Sequence, residues 1–390
     1  MLKALEGSQA LARAVALCRP GVVAAYPITP QTHIVENISK LVADGEMGCE
    51  LVSVESEFSA ASVVLGAAAA GARAYTASSS QGIMLMSEVL YNMAGLRIPA
   101  VITCANRSVG APLNIWNDQA DSMAIRDSGC IQLYCADNQE GVDSTIQAFR
   151  IAEATELPVM VCVDGFVLTH TLEPIDLPSQ TKVDRFLPEF DFARRLDPKA
   201  PKSFGTLVDP GWFTEVRHSH HRAMQKALPV IEEIDAAYEK AIGRAAGGLL
   251  KTHGPKGAKT AVLALGSVVS TLRQGLNDGL AKTPVKIIQL RCFRPFPTEA
   301  LIEAVDGVDD LIVLERAFSP GLGGIVGTEV TAALAHLKKR PRIHNFAVGL
   351  GGRDVPVELL PELIAATRGT TPEPFRIFDV ELDKLPAEDR

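Results

Sequence analysis

The chain has 390 residues, 47% hydrophobic and 22% charged, with 38 Lys and Arg against 46 Asp and Glu and a formal charge of −8. At roughly 150 residues per domain that length predicts two domains, and the composition excludes a disordered or fibrous chain. The negative balance, with no basic run, excludes a nucleic acid as the expected partner.

Early in the chain, Ser8 is expected to cap a helix that ends at Arg19-Pro20-Gly21. No continuous apolar stretch resembling a signal peptide occurs in this segment, which leads to the expectation of a cytoplasmic protein. Short apolar runs follow at 22–26, 51–54, 74–77, 100–104, 131–134 and 158–163, most pairs separated by a helix-like segment. That spacing predicts βαβ units in a buried parallel sheet. Phe58 to Ala72 carries no charge and is too short to span a bilayer, so it is read as a buried helix. Asn138 is expected to open an amphipathic helix that runs to Glu156.

The proline-rich, aperiodic stretch from Leu172 to Phe213 reads as an arm, and an amphipathic helix from Glu215 to Ile242 follows it. His218, His220 and His221 on that helix are expected to face solvent. Gly243 to Lys259 has linker chemistry. Strands predicted at 261–265, 285–290, 310–314 and 343–347 complete a second α/β unit, giving domains at 1–245 and 259–390 with a linker at 246–258.

In parallel sheets, ligands bind beyond the carboxyl ends of the strands. The first run leads into Pro27-Ile28-Thr29-Pro30, where two prolines fix a turn that presents Thr29. The second leads into Glu55-Ser56-Glu57, directly before the uncharged helix; Glu57 is the better candidate for a carboxylate in a dry site. The fourth ends at Asn106-Arg107, where a guanidinium suits two-pronged capture of a carboxylate or phosphate. Beyond it, Asn117, Asp118, Gln119, Asp121 and Ser122 crowd polar groups around Trp116. Neither a GxGxxG nor a P-loop motif is met, and the seven cysteines have no zinc or iron–sulfur spacing.

Tyr26-Pro27-Ile28-Thr29-Pro30, Glu55-Ser56-Glu57, Thr76-Ala77-Ser78-Ser79-Ser80-Gln81-Gly82, Asn106-Arg107 and Arg126-Asp127-Ser128-Gly129 resemble, in order and spacing, the α subunit of 2-oxoacid:ferredoxin oxidoreductases. Asp164-Gly165-Phe166, Arg294-Pro295-Phe296-Pro297 and Gly349 to Asp354 extend the likeness over almost the whole chain. The resemblance implies a thiamine-diphosphate pyrimidine-binding-like domain followed by a smaller transketolase C-terminal-like domain. It also implies oxidative decarboxylation of a 2-oxoacid, pyruvate first, to an acyl-CoA with coenzyme A. Glu57 would meet the cofactor's aminopyrimidine and Thr29 and Arg107 the 2-oxoacid, with Pro27, Ile28, Ser80 and Gln81 also lining the cofactor.

The chain has no GDG segment for a Mg²⁺-held diphosphate. The resemblance therefore implies a β subunit with the diphosphate and Mg²⁺, γ and ferredoxin-like δ subunits or equivalents, [4Fe-4S] clusters on those partners, and ferredoxin or another acceptor. The alternatives are a non-catalytic scaffold subunit and a different thiamine enzyme. Pyruvate members usually read Asp-His-Gln-Asp-Ser where this chain has Asp118-Gln119-Ala120-Asp121-Ser122, and often carry Trp where Cys130 stands. Asn117, Asp118, Gln119 and Cys130 are the candidate pocket residues; any of Gln119, Ala120 and Cys130 that faces the pocket is expected to leave it roomier and more apolar, and it would then admit an aryl glyoxylate or branched-chain 2-oxoacid.

Overall fold

The computed structural model describes residues 2–368 and 371–390. Two compact units emerge, one from the chain up to Lys251 plus Leu290–Pro297, the other from Thr252–Gln289 and Thr298–Arg390.

The first unit opens with β1 (Leu2–Glu6), α1 (Gly7–Leu17), β2 (Val22–Ala25), α2 (Thr32–Ala43), β3 (Glu50–Ser53) and α3 (Glu57–Ala69). It continues through β4 (Ala74–Ser78), α4 (Ser80–Leu85), α5 (Ser87–Gly95), β5 (Val101–Asn106), α6 (Ala120–Ala124) and β6 (Ile131–Tyr134). Then come α7 (Asn138–Thr155), β7 (Val159–Asp164), β8 (Leu172–Asp176), α8 (Gln180–Phe186) and α9 (Phe213–Ile242). Strands β6, β7, β5, β4, β2 and β3 lie side by side and parallel, with β5 and β7 buried along their whole length. Burial on both faces is why these strands read as unbroken apolar runs. Leu11 and Val15 of α1, Ile34 and Ile38 of α2, Ile146 and Phe149 of α7, and Ile231 and Tyr238 of α9 belong to one buried cluster.

The second unit is built from β9 (Leu250–His253), β10 (Thr260–Ala264), α10 (Val268–Asn277), β11 (Val285–Leu290), α11 (Thr298–Ala304) and β13 (Asp310–Glu315), while β12 (Cys292–Arg294) belongs to the first. A short ribbon of β14 (Phe318–Ser319) and β15 (Gly323–Gly324), then α12 (Ile325–Leu334), β16 (Arg342–Ala347), α13 (Leu359–Thr367) and β17 (Arg376–Ile377), complete it. Its sheet order is β17-β16-β13-β10-β11-β9. Within it, Glu315 accepts from the N–H groups of Ile325, Val326 and Gly327 at the start of α12, a carboxylate placed where the helix dipole favours it.

Several expectations need correction. Ser8 lies inside α1 rather than before it, because its hydroxyl donates to the Thr169 carbonyl. Asp137, not Asn138, caps α7 by accepting from Glu140 N–H. The expected arm is ordered at its start, where β8 pairs antiparallel with β1 and α8 follows. The linker is shorter than 246–258, since β9 occupies Leu250–His253 and the division falls at Lys251. His220 points inward instead of to solvent; Gly129, at φ +91°, leaves the room that its ring takes.

Leu290–Pro297 returns to the first unit, where β12 pairs antiparallel with β6. Arg291 anchors this return and is fully buried, donating to Gly248 O (2.7 Å), Gln147 Oε1 (3.0 Å) and Ser144 Oγ (3.1 Å). Asp235 accepts from Gln147 and from the N–H groups of Ala246, Gly247 and Gly248 beside it. Arg291→Met strips those acceptors of their donor inside the core and is expected to cost about 3 kcal/mol, read as a lowered denaturation midpoint at unchanged slope.

Candidate active site

The order β5-β4-β2-β3 brings four strand ends, and the residues that follow them, to one edge of the first sheet. After β2, the Pro27 to Pro30 turn ends in a cis Thr29–Pro30 bond. Gln31 holds the turn down, accepting from Ile28 N–H (3.3 Å) and donating to the Ala77 carbonyl (2.8 Å). Pro27 and Thr29 are exposed and Ile28 is half-buried.

After β3, Ser56 caps α3 by accepting from Ser59 N–H. Glu57 therefore falls in the first helical turn, where the N-terminal dipole favours a carboxylate. Its side chain is buried, and no residue among those described hydrogen-bonds or ion-pairs with it. Glu55, by contrast, is exposed, and the Ser59 hydroxyl holds its carboxyl below the usual range. Gly82 makes room at Glu57: a Cβ there would stand 2.7 Å from Glu57 Oε1 and 2.3 Å from Ser78 Oγ. The buried hydroxyls of Thr76, Ser78 and Ser79 next to this gap have no partner either.

After β5, the Arg107 guanidinium is buried between two carbonyls, donating from Nε to Asn114 O (3.0 Å) and from Nη1 to Thr29 O (2.9 Å). Burial lowers its pKa from the ordinary value, with the Asp121 charge pulling the other way. No carboxylate among the described residues forms an ion pair with this guanidinium, which leaves it a receptor for an anion.

Asp121 organises the whole edge. Its Oδ2 accepts from Ser80 N–H (2.8 Å) and Arg107 N–H (3.0 Å), and its Oδ1 from Asn106 Nδ2 (2.8 Å) and Ser122 N–H (2.8 Å). Burial raises its carboxyl pKa and these donors pull it back. Ser80 sits at φ +50° at the head of α4, and its hydroxyl donates to Gln81 Oε1 and the Ser108 carbonyl. Ser80 thus shapes the turn with both its N–H and its hydroxyl, while Gln81 is exposed.

In the polar loop, Asn117 is buried with neither amide atom partnered, Asp118 accepts from Ala120 N–H (3.0 Å), and Gln119 donates to Asp164 Oδ1 (3.1 Å). Cys130 does not join them. It precedes β6, whose first residue is level, through Val159, with Val101 at the start of β5. Six strand residues, about 20 Å, separate that level from Arg107. Cys130 therefore belongs to the opposite edge, and its buried thiol is pushed up to about 12 by burial. The sequence reading missed Asp121 and Gly82 as site-building residues; the first was visible only as one acid among several, the second only as a letter inside a motif.

The model of the pyruvate flavodoxin/ferredoxin oxidoreductase thiamine-diphosphate-binding domain matches residues 13–236, more than half of the chain. The chain belongs to this family. Pyruvate:ferredoxin oxidoreductase core domain II matches residues 258–360. A pyruvate synthase subunit PorA of Methanosarcina barkeri is 45% identical over 369 residues, covering 93% of this chain and 92% of the relative. A ketoisovalerate oxidoreductase subunit VorA of Pyrococcus abyssi is 39% identical over 358 residues, covering 91% and 90%.

Among solved structures, a 2-oxoglutarate:ferredoxin oxidoreductase from Magnetococcus marinus superposes with a TM-score of 0.69 at 19% identity. The match takes in 94% of this chain and 65% of that one, and so shows the fold alone. A split-gene transketolase superposes at 0.52 and 11% identity, covering 93% and 98%. Both agree with a fold of two α/β units.

Asp121→Asn places an amide NH₂ among donors that need an acceptor. It is expected to lower stability by about 2 kcal/mol and to raise the KM for the 2-oxoacid more than tenfold in the assembled enzyme, because the Arg107 backbone loses its tether. Steady-state kinetics beside a urea titration measures both.

Proposed function

We propose that this chain is the catalytic α subunit of a thiamine-diphosphate-dependent 2-oxoacid oxidoreductase. It converts pyruvate and coenzyme A to an acyl-CoA and CO₂ and passes the electrons to clusters on partner subunits. The observation that carries the reading is the buried, unpartnered Glu57 carboxylate on the same sheet edge as the buried Arg107 guanidinium.

The pyrimidine half of the cofactor fits this edge. Glu57 offers an acceptor to a ring nitrogen, and Gly82 leaves open the space that a side chain would take. Unpaired hydroxyls at Thr76, Ser78 and Ser79 border it. Pro27 and Ile28 offer an apolar turn for the ring to rest on. When bound, thiamine diphosphate supplies a nucleophilic thiazolium carbon for the 2-oxo group. Glu57 holds the proton on the pyrimidine nitrogen, so that the amino group of the same ring is poised to act as a base. Arg107 and the Thr29 hydroxyl hold the substrate carboxylate, which orients the 2-oxo carbon. Asn117, buried with both amide atoms free, is placed to complete the polar wall.

The diphosphate half has no counterpart here: a GDG segment is absent from the sequence. A β subunit that holds diphosphate and Mg²⁺, cluster-bearing partners and ferredoxin as acceptor complete the scheme. Tyr26, Phe58, Leu113 and Trp116, in segments that follow the strand ends, are exposed; such apolar groups around a half-site suit coverage by another chain. Among the described residues, no helix is long and apolar enough to cross a membrane.

Glu57→Gln is expected to lower kcat by on the order of 10²- to 10⁴-fold in an assembled complex. Activity within threefold of the parent enzyme would assign the role to another group. Pyruvate is the substrate that this reading favours, since Cys130 gives no support to a wider pocket. The kcat/KM for pyruvate is expected to exceed that for 2-ketoisovalerate, and the reverse order would transfer the assignment to the branched-chain acid.

A further inference from the structure

Three side chains from separate elements meet next to the Thr29 turn without taking part in it. Glu6 ends β1, His33 lies in the first turn of α2, and His170 stands in the turn between β7 and β8. One ligating atom from each lies within 4.8 Å of the others, and all three residues are half-buried. His33 Nδ1 is 2.7 Å from Glu6 Oε1, and the imidazoles of His33 and His170 stand 4.5 Å apart between centroids, tilted by 33°. No Lys or Arg among the described residues pairs with Glu6.

We propose that Glu6, His33 and His170 bind a divalent transition-metal ion of the zinc class. Two imidazoles and one carboxylate, with no thiolate, make a donor set that suits Zn²⁺ and its neighbours and disfavours Ca²⁺ or Cu⁺. Ligand atoms on a tetrahedral zinc stand about 3.4 Å apart, so small side-chain rotations bring these three into place, and half-burial leaves a side open for water as the fourth ligand. The Thr169 hydroxyl lies 2.7 Å from His170 Nδ1; in the Nδ1–H tautomer it would accept from the ring and leave Nε2 for a metal, and such outer hydrogen bonds orient ligating histidines.

The ion would act as a clip. Gly165, early in the same β7–β8 turn, backs onto the Asn106 carbonyl and Pro30 so closely that a Cβ would stand 2.4 Å and 2.5 Å from them. A metal that joins β1, α2 and this turn would tie together the segments that flank Thr29 and Asn106.

The test uses the full chain, stripped with a chelator and titrated with Co²⁺ as an optical substitute for Zn²⁺. One equivalent is expected to bind with visible d–d absorption, and Zn²⁺ is expected to raise the thermal midpoint by a few degrees through linkage. Glu6→Gln and His170→Gln should each weaken binding by at least about tenfold and abolish the thermal shift. The His218→Gln/His221→Gln pair, on the exposed face of α9, should leave both unchanged. Should Glu6→Gln unfold the chain, His170→Gln decides alone. Absence of d–d bands in the parent chain, or bands and affinity that survive in His170→Gln, would overturn the assignment.

Discussion

One buried carboxylate ties together the residues that the chemistry needs. Asp121 accepts four hydrogen bonds from nitrogen, one from the turn after β4, two from the end of β5 and one from its own helix. Ser80 keeps its left-handed backbone because its N–H is used there, and Arg107 leaves the sheet in a fixed direction because its N–H is used on the same oxygen. An ionised carboxylate in the interior costs several kcal/mol unless it is compensated. Here the compensation consists of three backbone N–H groups and the Asn106 side-chain amide, so the arrangement that satisfies Asp121 is also the one that fixes the Arg107 backbone, whose side chain reaches the Thr29 carbonyl.

Many of the unsatisfied groups lie on residues of this knot and the loop beside it, while Gln132 Oε1, His220 Nε2 and Arg291 Nε are bare elsewhere. Thr76, Ser78, Ser79, Asn106 Oδ1, Asn117 and Gln119 Oε1 are all buried polar atoms without partners. Leaving such atoms bare costs on the order of 1–3 kcal/mol each. Beside a carboxylate without a partner and a guanidinium that donates only to two carbonyls, they describe a surface prepared to hydrogen-bond something that is not protein. The strain at Ser80 belongs to the same pattern, in which local cost is retained where a ligand is to be held.

Apolar periodicity is a local signal, and it made the parallel strands legible: the predicted runs at 74–77, 100–104 and 131–134 are β4, β5 and β6 within two residues. Glu57, Thr29 and Arg107 stood out as candidates for a related reason, since each lies within four residues beyond the end of a strand, and the carboxyl ends of strands are where parallel sheets bind ligands. What sequence could not show depended on register. Cys130 follows Gly129 as naturally as Arg107 follows Asn106, yet one precedes its strand and the other ends it, so they fall on opposite edges. Asp121 was hidden because its partners lie 41, 15 and 14 residues back in the chain. The return of Leu290–Pro297 to the first unit was hidden likewise, because a three-residue antiparallel strand carries too little pattern to announce its partner.

Half of a site has consequences for the surface around it. A carboxylate in a gap and a guanidinium between carbonyls reach full effect only when water is excluded, since electrostatic stabilisation weakens as the local dielectric rises. The first unit's sheet supplies a floor and two walls, but Thr29, Gln81 and Trp116 remain open. Exposed Tyr26, Phe58, Leu113 and Trp116 are poor neighbours for water and good ones for a second apolar surface. Covering that rim with a second apolar surface would exclude water from the carboxylate and the guanidinium together, and so strengthen every electrostatic interaction that either of them makes.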